Sequence, residues 1–122
     1  MSSLLSDPNR QLLPLTPAVF FILFALAEGE KHGYAIMQDV AILSDRHVNM
    51  GPGTLYAAIQ RLLDLSLIVE TAKSKSEEGR RRYYELTRAG KALLEAEIGR
   101  MLSLLRLARQ KNLEPLEAKW EL

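Results

Sequence analysis

Gly51-Pro52-Gly53-Thr54-Leu55-Tyr56 opens one decisive segment of the chain, and Arg80-Arg81-Arg82-Tyr83-Tyr84-Glu85-Leu86-Thr87 forms the second. The first places a proline where the opening turn of a helix needs no amide donor, and Leu55, Ile59, Leu62 and Leu63 then fall on one side. That spacing predicts an amphipathic helix with a small-residue N-terminus. The second segment is a basic cluster running into an aromatic strand. A helix of the first kind suits the major groove of DNA, and a cationic hairpin beside it suits the phosphate backbone. Together they predict a winged helix-turn-helix, mainly α with a small β-hairpin.

Upstream, Thr16 is a natural cap and Pro17 occupies a first turn, so a helix is expected to run to Glu28 and stop at Gly29. Val19, Phe20, Phe21, Ile22, Leu23, Phe24 and Leu26 cover most of its circumference, which predicts a central position. After the turn Gly29-Glu30-Lys31-His32-Gly33, a second helix from Tyr34 to Leu43 presents Ile36, Met37, Val40 and Leu43 at spacings of three and four. Asp45 to Met50 form a polar connection into the third helix. Opposite its leucine face, the third helix carries Gly53, Ala57 and Gln60, flanked by Thr54 and Arg61. Small residues allow close approach to base edges, and Gln60 and Arg61 are types that pair with adenine and guanine.

Downstream, Leu67-Ile68-Val69-Glu70-Thr71 is β-branched and short, and Arg82 to Leu86 is its expected partner strand, with Lys73 to Gly79 as the hairpin tip. The net charge is only +1, yet Lys73, Lys75, Arg80, Arg81, Arg82, Arg88 and Lys91 lie close together against Glu77, Glu78 and Glu85. A charge run by itself is more often a solvated hairpin. Its place after a helix-turn-helix gives it the character of a nucleic-acid footprint, with Lys75 and Arg80 to Arg82 on phosphates.

The last helix is expected from the cap Thr87 to about Asn112, weakened slightly by Gly90 and Gly99. Leu94, Ile98, Met101, Leu105 and Ala108 make a coiled-coil-like seam, widened by Leu93, Leu102, Leu104 and Leu107. So broad a stripe exceeds what a small three-helix core covers, which implies a homodimer; the alternative is a stripe folded back on its own core under the N-terminal arm. A cleft between two such helices, lined by Met101, Leu105 and Ala108 with Phe20 or Trp120 nearby, would suit a small hydrophobic or aromatic effector. The same residues serve equally as a closed dimer core.

The expected organisation is an arm over residues 1–15, partly disordered or packed on a partner, a winged helix-turn-helix over 16–86, a dimerisation helix over 87–112 and a tail over 113–122. With 122 residues, one domain is the simplest reading. The absence of cysteine excludes disulfides, thiolate metal sites and thiol nucleophiles. Ala18 to Ala27 is too short an apolar run for a bilayer span and lacks a leader pattern, so a cytoplasmic location and no membrane partner are expected. His32, His47, Asp39 and Asp45 are isolated, and no catalytic triad, metal-ligand cluster or phosphate loop emerges. Neither an enzyme nor a metal or other cofactor is expected.

Five pieces in order carry a family resemblance: His32-Gly33-Tyr34-Ala35-Ile36, Pro52-Gly53-Thr54-Leu55-Tyr56 with Arg61-Leu62, Leu67-Ile68, Tyr83-Tyr84-Glu85-Leu86-Thr87, and Gly90. Over roughly Leu15 to Leu107 the chain resembles the PadR-like transcriptional regulators, in particular the short subfamily with one C-terminal dimerisation helix. The resemblance implies a homodimeric repressor on an inverted-repeat operator, with the third helix in the major groove and the wing on the flanking backbone. It also implies that Tyr34 and Tyr56 brace the helix-turn-helix or reach phosphates. Two positions depart from the pattern: Ala57 where many relatives have proline, and Ser66 where many have glycine. The competing function is a winged helix that binds another protein without reading DNA sequence.

Overall fold

Thr16 accepts a hydrogen bond from the Val19 amide at 3.3 Å, and Pro17 opens helix α1 (Pro17–Ala25) as the cap pattern predicts. These details come from a computed structural model, which describes residues 9–76 and 81–115. A 3-10 turn, Leu26–Glu28, extends α1 to Gly29, whose φ of 136° strains any residue with a side chain. Helices α2 (Gly33–Leu43) and α3 (Pro52–Asp64) follow, then a single helical turn, Lys73–Ser76, and the long helix α4 (Arg88–Gln110). Strands β1 (Lys31–His32), β2 (Ile68–Glu70) and β3 (Tyr83–Leu86) form an antiparallel sheet with β3 in the middle.

Two segments differ from expectation. Residues 29–33, expected as a turn, contain the third strand: His32 lies opposite Tyr83 and Lys31 opposite Tyr84. Two residues are too few to show the alternation that marks a strand. The polar hairpin tip also begins with a helical turn, pinned where buried Ser74 accepts from the Tyr83 amide at 2.7 Å.

The connection between α2 and α3 is similarly ordered by one hydroxyl. Ser44 is buried, and its Oγ accepts from the Val48 amide at 2.9 Å while lying 3.3 Å from the carbonyls of Ala41 and Val48. Asp45 and Arg46 adopt φ of 51° and 63°, and the Arg46 amide donates to the Ala41 carbonyl at 2.7 Å. These bonds satisfy groups the helix end leaves unpaired, and they set the angle at which α3 departs.

The core gathers Ile22, Leu23 and Leu26 of α1, Ile36 and Val40 of α2, Leu55, Ile59 and Leu62 of α3, and Leu93 and Leu94 of α4. Leu94 therefore requires a correction. Expected on the dimer seam, it is 3% exposed within its own chain. Returning such a side chain to the surface costs about 1.5–3 kcal/mol, so the intramolecular site holds it. The first turns of α4 are packed on the winged-helix core, so Leu94 belongs to that core and not to the seam.

The arm from residue 9 also packs on its own chain. Leu12, Leu13 and Leu15 lie against the core. The Leu15 amide donates to Glu97 Oε2 at 2.8 Å, and Arg100 grips the same carboxylate at 2.5 and 3.2 Å. Glu97 is 1% exposed, a burial that only such full pairing makes tolerable. The Arg100 hydrogen bonds hold its carboxyl below the ordinary value against the opposing effect of burial, helped by the Leu15 amide.

The wing and α4 meet around Leu67. Its amide donates to the Leu62 carbonyl at 2.9 Å and the Ser66 amide to Leu63 at 3.0 Å, closing α3 with Ser66 in the left-handed region at φ 58°. The Leu67 carbonyl accepts from the Thr87 amide at 3.1 Å, and a Cβ at Gly90 would stand 1.9 Å from that oxygen. Gly90 is thus a close-approach residue and not merely a weak point of the helix. Gly90→Ala is expected to lower unfolding free energy by at least about 2–3 kcal/mol. Ser66→Gly, which relieves a strained φ, raises it by up to about 1 kcal/mol. Urea denaturation of both variants checks the pair, and equal signs contradict the geometry.

Because the folded Glu97 pKa is lowered, its contribution is full above the ordinary carboxylate range and is lost as pH falls through the lowered folded value. The stability gap between the wild-type chain and Glu97→Gln should therefore close on acidification. A gap that is constant with pH contradicts this assignment.

Candidate nucleic-acid interface

Helix α3 turns Leu55, Ile59 and Leu62 inward, each at most 2% exposed, and this rotation leaves Gly53, Thr54, Ala57, Gln60 and Arg61 exposed. At 100° per residue, Gly53, Ala57 and Gln60 share the outermost face. Gly51 caps the helix without a side-chain acceptor, and its first turn holds no acidic residue. No side chain of its own first turn therefore compensates the positive end of the helix dipole.

Two details were not legible in the residue pattern. Gln60 Nε2 donates to Asp64 Oδ1 at 3.0 Å, which orients the side-chain amide on the exposed face. Arg61 sits about 100° around the helix from Gln60. It lines a small 60 Å³ cavity with Leu12, Leu15, Thr16, Val19 and Leu65, facing the N-terminal arm.

On the other flank, Tyr56 turns toward α2 and the sheet. Tyr34, Tyr56, Arg81 and Arg82, all exposed, line one open concavity of 310 Å³ together with His32, Gly33 and Tyr84. Four elements contribute: the end of β1, the start of α2, the flank of α3, and β3 with its entry. The Tyr56 hydroxyl lies so near Gly33 that a Cβ there would stand 2.4 Å from it. Burial, reinforced by Glu70 and opposed by Arg82, pushes the Tyr84 hydroxyl above its ordinary pKa, so it stays a neutral donor.

His32 lies at the centre of this cluster. Its Nδ1 accepts from the Ala35 amide at 3.2 Å, capping α2, while Nε2 lies 3.0 Å from Arg81 Nη1. Its ring meets Tyr83 edge-on at 5.4 Å between centroids. The same strand anchors Lys73, whose ammonium lies 4.5 Å from the Tyr83 ring centroid. Neighbouring Lys31 is held by Asp39 and Glu28; burial opposes its charge, but the two carboxylates raise its pKa nonetheless. Sequence reading missed His32, Gly33 and Tyr84 as parts of this site. The histidine directly before a helix was a capping signal, but only the sheet brings Arg81 to it. Arg80 lies outside the described residues, as does the side chain of Lys75.

The residues expected at a dimer interface divide. Ile98 is 42% and Leu105 39% exposed, Met101 and Ala108 are half-buried, and Leu94 is interior. A groove of 690 Å³ runs beside them, lined by Phe24, Leu86, Leu94 and Ile98 and edged by Glu28, Arg88, Lys91 and Glu95. Of the residues expected around an effector, Phe20 stacks on Phe24 at 5.4 Å, Met101 and Leu105 lie on α4, and Trp120 is outside the described residues. Among the described residues, no group of three or more His, Cys, Asp or Glu is placed to hold a metal ion. No helix among them is long and apolar enough to cross a membrane.

Comparison with known proteins agrees with this architecture. Residues 22–96 match the Transcriptional regulator PadR-like family. An uncharacterized 37.1 kDa protein in transposon TN4556 of Streptomyces fradiae is 40% identical over 87 residues, 71% of this chain but only 24% of that protein. The chain thus spans about a quarter of that relative's length. An uncharacterized protein X of Lysinibacillus sphaericus is 34% identical over 73 residues, covering 60% of this chain and 67% of that one. Among solved structures, a PadR family transcription regulator from Clostridium difficile R20291 superposes with a TM-score of 0.64 at 28% identity, covering 78% of this chain and 97% of its own.

Proposed function

The chain belongs to the PadR-like family of transcriptional regulators, and on that premise we propose that it binds duplex DNA sequence-specifically as a homodimer. The site is an inverted-repeat operator, and the outcome is repression relieved by a ligand or stress signal. The observation that supports this most is the concavity that joins Tyr34 and Tyr56 to Arg81 and Arg82 beside the exposed face of α3. Cationic and hydroxyl donors from three elements converge there, as phosphate positioning requires.

In this reading α3 enters the major groove with Gly53 and Ala57 allowing close approach, while Thr54 and Gln60 read base edges. Arg61, on the arm-facing flank, contacts the groove wall. Lys73, Lys75, Arg80, Arg81 and Arg82 supply the phosphate contacts and most of the salt-dependent affinity. The apolar surface of Phe24, Ile98 and Leu105 joins two copies, with Met101 and Ala108 at its edge. A small hydrophobic or aromatic effector entering between the two copies of α4, near Met101, Leu105, Phe20 and Trp120, acts by favouring one dimer arrangement.

Selection from a randomised duplex library at near-physiological salt should recover a palindromic motif. Salt-sensitive binding without a motif would favour the protein-interaction alternative. On the recovered site, Arg81→Ala should weaken binding to all sequences alike and reduce the salt slope by about 1, whereas Gln60→Ala should alter preference at one position by about 1–3 kcal/mol.

The dimer surface has its own check. Ile98→Asp with Leu105→Asp should give a folded monomer with weakened DNA binding, because both side chains are about 40% exposed in one chain. Leu94→Asp, by contrast, should unfold the chain, since it buries an unpaired charge. Sedimentation and circular dichroism separate the two results; a dimer that survives the double substitution places the interface elsewhere.

A further inference from the structure

We propose that Glu95 and Arg109 set the direction and register of the homodimer: a second copy of this chain packs its α4 antiparallel on the first, so that Glu95 of each copy meets Arg109 of the other. This rests on the homodimer reading above and adds two charged residues, an orientation and a register that the apolar stripe by itself leaves open.

The second half of α4 has an apolar spacing that reads the same in both directions. With Leu94 withdrawn into the core of its own chain, the seam that remains is Ile98, Met101, Leu105 and Ala108, at steps of three, four and three. Two such helices laid antiparallel place Ile98 of one against Ala108 of the other, and Met101 against Leu105, about an axis beside Ser103. A parallel pair matches each residue with itself instead. The seam permits both arrangements, and the charges on its flanks decide between them.

On one flank of the seam stand Glu95, Leu102 and Arg109, seven residues apart; on the other stand Glu97, Leu104 and Lys111. An antiparallel pair sets each flank against its own kind. Leu102 then meets Leu102, Leu104 meets Leu104, and Glu95 meets Arg109 twice by symmetry. A parallel pair sets one flank against the other, which lays Arg109 over Leu104 and leaves Glu95 with no cation opposite. Both Glu95 and Arg109 are exposed, and among the described residues neither has an ion pair within its own chain. Glu97, by contrast, is already held by Leu15 and Arg100.

The 690 Å³ groove fits the same register. The turn of the second copy that carries Leu105, Ala108 and Arg109 enters it over Phe24, Leu94 and Ile98, with Glu85 and Glu95 on the rim. Glu28, on the same rim, is paired with Lys31. The groove's cations, Arg88 and Lys91, lie farther along, past the point where α4 of the second copy ends at Gln110. Exposed ion pairs add little affinity, so the apolar seam holds the dimer and the two pairs fix its direction.

Charge exchange in the full chain tests the pairing. In sedimentation equilibrium the dimer dissociation constant should rise roughly tenfold or more for Glu95→Arg and likewise for Arg109→Glu, because each replaces two attractive pairs by two repulsive ones. Both positions are exposed, so circular dichroism should stay that of the wild type. The double variant E95R/R109E should dimerise like the wild type, and the two single variants, mixed, should form a heterodimer tighter than either homodimer. Single variants as tight as the wild type, or a double variant as weak as the singles, overturn the pairing.

Direction is read separately. The chain has no cysteine, so a single cysteine at exposed Ala92 or exposed Ser103 carries the only spin label. At a rise of about 1.5 Å per residue, an antiparallel dimer separates the Ala92 labels by at least about 10 Å more than the Ser103 labels, whereas a parallel dimer gives the same separation at both. Equal separations overturn the inference and leave the homodimer standing. A wild-type chain that stays monomeric at every concentration overturns the homodimer reading itself, and this inference with it.

Discussion

Leu67 joins the three parts of this fold through its two peptide groups. Its amide closes the end of α3 on the Leu62 carbonyl, and its carbonyl accepts from Thr87 at the start of α4. The Thr87 hydroxyl adds a 2.7 Å bond to the Ser66 carbonyl and accepts from the Gly90 amide at 3.0 Å. Each bond is worth only about 0.5–1.5 kcal/mol, so their importance is geometric more than energetic. Helix α3 ends, the wing begins and the long helix starts within one hydrogen-bonded knot. A movement of the first turn of α4 is therefore transmitted to the end of α3.

The long helix performs two tasks along its length. Leu93, Leu94 and Glu97 belong to the winged-helix core, the last as a fully paired buried carboxylate that also ties down the arm. Beyond Arg100 the apolar residues emerge: Leu104, Leu105 and Leu107 are each between 39% and 51% exposed. Among the described residues, the second half of this helix keeps an apolar surface exposed. The division explains why a single seam drawn through Leu94 and Ala108 mixes residues with different neighbours.

At the candidate interface, α3 and the sheet act through different chemistry. The outer face of α3 is small and polar, suited to approaching base edges, while the concavity between α2 and the wing entry is dense in donors. His32 connects them to the fold, because it is at once a strand residue paired with Tyr83, the cap of α2 and a neighbour of Arg81. The tyrosines stand at the same place because Gly33 leaves room for the Tyr56 hydroxyl.

Much of this was legible in the residues alone. Caps at Thr16 and Thr87, prolines in the first turns of α1 and α3, and the spacing of Leu55, Ile59 and Leu62 are local signals, and local hydrogen bonding and helical period determine them. They set the helices, the hairpin and which face of α3 is exposed. What only the tertiary structure decided were the contacts between residues far apart in sequence. These are the pairing of β1 with β3, the burial of Leu94 and Glu97, the place of Arg61 beside Leu12 and Leu15 of the arm, the approach of Gly90 to Leu67, and the meeting of His32 with Arg81. The physical reason is that period and capping act over a few residues, whereas a two-residue strand, a paired buried charge or a missing Cβ acquires meaning only from what packs against it.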